Sequence, residues 1–198
     1  MRRNLSNIIA VALGIATLGS SAFGQNDVIH TRYNLSVASS ADMERIPPRQ
    51  GLSDKDLKFL IVMARVHMAE IQFGQLAQRN GGEWAQGYGK DMVREHMIAL
   101  EEVKKAAADN GLAVPKDVDA TTKKSFSKLS QLHGSAFDEA YRQMMISGHK
   151  QVLDLVQDEI RAGYNSDARG YAVTAETAVK LHLRLAQEQT TMMGAKNG

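Results

Sequence analysis

The chain has 198 residues, 43% of them apolar, with 24 Lys and Arg against 22 Asp and Glu. That is length and apolar content for one domain with one sizeable core. Arg2 and Arg3 account for the basic excess, so the remainder is near neutral and lacks the footprint of a polyanion binder; nucleic acid is not an expected partner. With no cysteine, the fold has no disulfides and any metal site has no thiolate ligands.

The first segment reads as a cleavable export signal. Arg2 and Arg3 precede an apolar run from Ile8 to Leu18, and Ser20, Ser21, Ala22 and Gly24 form a small-residue exit. The run is too short to span a bilayer. Cleavage is expected after Gly24 by the general export route, since the arginine pair stands without the rest of a twin-arginine signal. No lipid-anchored maturation is expected, because no cysteine follows the run. The expected location is the periplasm, with association to the outer membrane left open. Residues 25–52, with Pro47 and Pro48, show no helical period and are expected to be a flexible tether. Val28, Ile29, Tyr33, Leu35 and Val37 leave open a strand that pairs with a partner protein of the envelope.

Order begins at Ser53. With Asp56 three residues later it forms an acidic capping box, and a first helix is predicted from about Asp54 to Arg79. Its inner face is Leu57, Leu60, Ala64, His67, Ile71 and Gly74, and Asn80-Gly81-Gly82 ends it. A second helix is predicted from about Glu83 to Asn110, with Trp84, Tyr88, Met92, His96, Leu100, Val103 and Ala107 inward and Gly111 as its C-terminal cap. From Leu112 to Gly134 the chain crosses over, and Phe126, Leu129 and Leu132 suggest a short extra helix within the link. A third long helix runs to Ile160, with Ser135 as expected N-cap and Asp138 completing its box. A fourth is predicted from about Asp167 to Met193, with Tyr171, Ala175, Ala178, Val179, His182, Leu185 and Ala186 inward. Four amphipathic helices, two tight turns and one long link predict an all-α fold, a four-helix bundle spanning 53–193 whose link can run the bundle's length.

Each long helix carries one inward histidine near its middle. His67 lies 13 residues before Asn80, His96 lies 13 after Glu83, His149 lies 14 before Gly163, and His182 lies 15 after Asp167. All four are therefore expected at one level, where they could surround a metal ion. Glu70, one turn from His67, could add a carboxylate or orient a ring. Met63, Met92 and Met145 each precede one of these histidines by four residues; they offer thioethers that suit copper, or simply fill the core. His30 and His133 have no such company.

These pieces resemble the bacterial envelope family labelled domain of unknown function 4142, whose members are called predicted outer membrane proteins. The matching residues are Phe59, Ala69-Glu70-Ile71 and Leu76-Ala77, then Met92-Val93-Arg94-Glu95-His96, then Gly134-Ser135-Ala136-Phe137-Asp138 with Tyr141, then His149, His182 and Leu183. The resemblance covers about Ser53 to Leu185 and implies a ferritin-like fold. It carries the family's pattern onto Glu70, His96, Asp138, Tyr141, His149 and His182. The family has a small residue where His67 stands and Asp where Glu95 stands.

A ferritin-type di-iron centre needs two Glu-x-x-His pairs. Val93, Ile146 and Val179 stand three residues before His96, His149 and His182, so that motif is missing. No phosphate loop or Ser-His-Asp pattern appears, and no enzymatic activity is expected. Two readings follow. One is a periplasmic protein holding a copper or zinc ion on His96, His149 and His182, with Glu70 or His67 completing the site. The other is a non-catalytic structural or stress-related envelope protein whose histidines form a buried hydrogen-bonded cluster. The oligomeric state is not legible.

Overall fold

The computed structural model describes residues 51–195, with side chains described to residue 189. The expected export signal and all but the last two residues of the expected tether lie outside the described residues. Those two, Gly51 and Leu52, belong to the fold: Leu52 packs against the core and the Gly51 carbonyl accepts from Asn165 Nδ2 at 2.8 Å.

The described residues are all-helical. The elements are α1 (Asp54–Asn80), α2 (Glu83–Asp109), α3 (Ala120–Leu129), α4 (Gly134–Ala162) and α5 (Ser166–Ala195). Helix α1 starts as predicted: the Ser53 hydroxyl accepts from Asp56 N at 3.2 Å, and Ser53 N donates to the Asp56 carboxylate at 2.7 Å. Gly111, with φ of 68°, closes α2 in the left-handed conformation that glycine adopts freely. Asp119 caps α3 by accepting from Thr122 N at 2.7 Å.

Two expectations are corrected. Leu185, expected inward, is 39% exposed, because its position on α5 turns it to solvent. Helix α4 begins one residue earlier than Ser135, with His133 in the N-cap position and no side-chain cap. Asp138 instead reaches across to α2 and accepts from Gly82 N at 2.8 Å. Gly82 is the N-cap residue of α2 and has no side chain of its own to supply that acceptor.

Each of the four long helices touches the other three. Helix α1 is the most deeply embedded: Phe59 to Ala64 are six consecutive residues with at most 3% exposure, well beyond one face of a helix. The short α3 covers part of its outer side, where Phe73 and Phe126 meet with centroids 6.1 Å apart. Helices α1 and α2 approach most closely at two glycines. A Cβ on Gly89 would stand 2.7 Å from the Gly74 carbonyl oxygen and 2.7 Å from Ala77 Cβ, so the contact has no room for a methyl group.

Polar contacts at the two ends fix the helix directions. At one end Asn165, just before α5, bonds Gly51 before α1 and Asn110 after α2. At the other end the start of α4 reaches the start of α2. Helices α2 and α4 therefore run in the same direction, and the link containing α3 travels the length of the core between them.

Candidate metal centre

Halfway along the long helices, four imidazoles meet inside the core. His67 on α1, His96 on α2, His149 on α4 and His182 on α5 are exposed by 4%, 6%, 2% and 3%. His96 stands at the hub, its ring centroid 5.1 Å from His67, 6.2 Å from His149 and 5.3 Å from His182; His149 and His182 are 5.3 Å apart. Counting residues from the turns is enough to place them together, since a helix rises ~1.5 Å per residue.

Hydrogen bonds assign different work to the four rings. His149 Nδ1 lies 2.8 Å from the Met145 carbonyl oxygen, which can only accept. Nδ1 therefore carries the proton and Nε2 presents a lone pair. His182 Nε2 lies 2.7 Å from Glu95 Oε2. Burial raises the Glu95 carboxyl, but hydrogen bonds from His182 and Arg94 outweigh it and hold the group below its ordinary value, so it is a carboxylate. It draws the His182 proton onto Nε2. That leaves a lone pair on Nδ1, which lies 3.3 Å from His149 Nε2. Two lone pairs at that distance repel unless a cation joins them. A metal ion accepting from both rings would relieve that repulsion, as would an extra proton shared between them.

His96 and His67 form a second chain. Their Nδ1 atoms are 2.8 Å apart, and His67 Nε2 bonds the Tyr171 hydroxyl on α5. If protons run from His96 through His67 to Tyr171, His96 Nε2 is a third lone pair. If they run the other way, His96 Nε2 is a buried N–H. Either way that atom has no hydrogen-bond partner among the described residues. A buried N–H left so would cost ~1–3 kcal/mol. Among the described residues, one ring nitrogen each from His96, His149 and His182 lies within 4.8 Å of the other two. Tetrahedral ligands on ~2.1 Å bonds sit about 3.4 Å apart. The His149–His182 pair already has that spacing, and small ring movements would bring His96 to it.

His67 and Glu70 are not in this trio. His67 holds His96 from behind and ties it to Tyr171, which makes it a positioning group in this geometry. Glu70 is 1% exposed, and burial pushes its carboxyl up to about 8, so it is protonated at neutral pH. Tyr141 is fully buried, and its hydroxyl has no hydrogen-bond partner among the described residues. Met63, Met92 and Met145 are at most 1% exposed and belong to the packed core.

Burial also keeps two of the trio uncharged. It is the first cause that pushes His149 down to about 3 and His96 well below its ordinary value, with neighbouring histidines adding to it. His67 is held at about 3 for the same reasons. Neutral imidazoles are the form that ligates metal.

Two residues of the site have only indirect sequence signals. Glu95 immediately precedes His96, which puts it on a flank of α2, and only the neighbouring α5 turns it toward His182. Tyr171 falls in the inward stripe of α5, three helical turns before His182, but its contact is with His67 on another helix.

A family profile described as domain of unknown function, DUF4142, matches residues 42–188. No curated protein and no solved structure shows significant similarity to the chain.

Proposed function

The chain belongs to the DUF4142 family, and on that footing, with the histidine layer described above, we propose that it is an exported periplasmic protein with a ferritin-like four-helix bundle that binds one copper or zinc ion. His96, His149 and His182 are the ligands, His67 orients His96, and Glu95 orients His182. The observation that carries this reading is the convergence of His149 Nε2 and His182 Nδ1 at 3.3 Å beside the unpartnered His96 Nε2. Three neutral imidazoles without thiolate or carboxylate suit copper and zinc better than magnesium, calcium or manganese. The missing Glu-x-x-His pairs argue against di-iron oxidation. Export is supported by the basic, apolar and small-residue pattern of residues 2–24. No described helix is long and apolar enough to cross a membrane.

The second reading, a structural envelope protein, is favoured by the hydrogen bonds that already link the rings to Glu95, Met145 and Tyr171. In it the extra proton, not a metal, joins His149 and His182. Elemental analysis separates the two. Purified protein is equilibrated with copper, zinc, iron and manganese beside a His96→Ala/His149→Ala double variant. Near one equivalent of copper or zinc, lost in the variant, is the expected result. Sub-stoichiometric metal, equal in both proteins, would leave the structural reading.

A further inference from the structure

A small cleft of about 70 Å³ opens between α2 and α5 beside the histidine layer. Its inner wall includes His96 and His182, while His149 stands outside its lining, deeper in the core. An ion drawn to all three nitrogens would thus have His149 behind it and the cleft in front. Three alanines among its lining residues leave room for it. Ala99 lies one turn after His96, Ala178 one turn before His182, and Ala175 one turn after Tyr171. Exposed Glu102 and Thr174 stand at its outer side, so it communicates with solvent.

At the inner end of the cleft the polar groups are already engaged, and the remaining carboxylate, Glu102, stands at the outer side. Both Glu95 oxygens are engaged, Oε1 by Arg94 at 2.8 Å and Oε2 by His182 at 2.7 Å. The Tyr171 hydroxyl is held by His67. The unpartnered Nε2 belongs to His96, a ring more than nine-tenths buried that faces this space. That space is several times the ~10–15 Å³ that holds one water, so the cleft admits a few waters or a small anion. A divalent ion on three neutral imidazoles has net positive charge and favours a monoanion. Glu95 and Glu102 on the cleft wall disfavour larger or multiply charged anions.

We propose that the bound ion keeps one coordination position open toward this cleft, and that the position takes a small inorganic ligand, water or a monoanion such as azide. This rests on the metal-binding reading and adds to it: a closed structural metal site has four protein ligands, whereas a site that handles a substrate keeps a position for it. The ligand enters through the cleft, coordinates without displacing a histidine, and needs no proton transfer to do so.

The test titrates copper-loaded protein with azide, read by azide-to-copper charge-transfer absorption and electron paramagnetic resonance. Two variants fill the cleft from opposite helices, Ala178→Leu and Ala99→Leu. Copper content and helical circular dichroism are measured on each, so that a variant that fails to fold is set aside and the other decides. The expected result is a saturable azide signal in the original protein, weakened at least tenfold in a variant that keeps one copper. A protein holding one copper that shows no azide signal would overturn the open position while leaving metal binding intact. An undiminished azide signal in the folded, copper-loaded variants would overturn the cleft as the route. Failure to bind copper or zinc at all would remove the metal reading and this inference together.

Discussion

The middle of the molecule and its Asn165 end both bury polar side chains, but they satisfy them differently. At the end, Asp56 and Asn165 meet backbone donors that must be satisfied. Asp56 Oδ1 takes Tyr164 N at 2.8 Å and Asn165 N at 3.1 Å, and its other oxygen takes Ser53 N at 2.7 Å. Asn165 Oδ1 caps α5 by accepting from Asp167 N and Ala168 N, while its amide bonds Gly51 and Asn110. In the middle, ring nitrogens face ring nitrogens, and one has no partner among the described residues. A polar group that closes the backbone accounts of a turn has its use in the fold itself. A cluster of like groups turned toward one another has a use the fold does not supply.

The sharpest way to break this contrast is to delete one member of each region. Asp56→Ala leaves three backbone donors without their acceptor and should cost about 3 kcal/mol by denaturant unfolding, taking ~1 kcal/mol per donor. A cost near zero would mean that water replaces the carboxylate and that the end is no more constrained than the middle.

The pH dependence of stability comes next. His67 and His149 are held near 3, below the ordinary 6.5, so their contribution is complete above pH 6.5 and is lost as pH falls toward 3. Burial, followed by the adjacent Asp56, pushes Glu159 up to about 7 from an ordinary 4.5. Its contribution is complete below pH 4.5 and is lost as pH rises through 7. Chemical denaturation across pH 3 to 9 should therefore show His67→Leu flattening the acid limb and Glu159→Gln flattening the decline between pH 4.5 and 7. The two variants acting on the same limb would refute the assignment.

Smaller still is the expected effect of His149→Leu on the metal-free protein. Replacing a buried polar ring by an apolar side chain of similar size should change stability by less than ~1 kcal/mol, while metal binding is lost. A loss of several kcal/mol would place the layer with the structural end. Lys104→Ala removes a surface contact to Glu101 of 2.7 Å and should change the unfolding free energy by no more than ~0.5 kcal/mol.

Helix limits and the histidine layer were legible because their causes are local. Ser53 with Asp56 and the glycine after Asn110 mark helix ends within the few residues that make the cap. A mid-helix position is a count from a turn. What lay across helices was not legible. Whether Glu95 meets solvent or His182 depends on how α2 is rotated against α5, and residue spacing within α2 does not report that rotation. The breadth of burial on α1 depends on where α3 lies, so one apolar stripe underestimated it. Asp138 had the spacing for a local capping box and was used at a distance, because Gly82 lacked a side chain to cap its own helix.

That bond from Asp138 to Gly82 bears on the order of assembly. The first turn of α2 is made early in the chain, yet its missing acceptor sits on α4, 56 residues later. A chain synthesised from its N-terminus can close α1 on α2 but cannot finish that turn until the link has crossed and α4 has docked. The first hairpin therefore waits, with one end unsealed, for the second half of the protein.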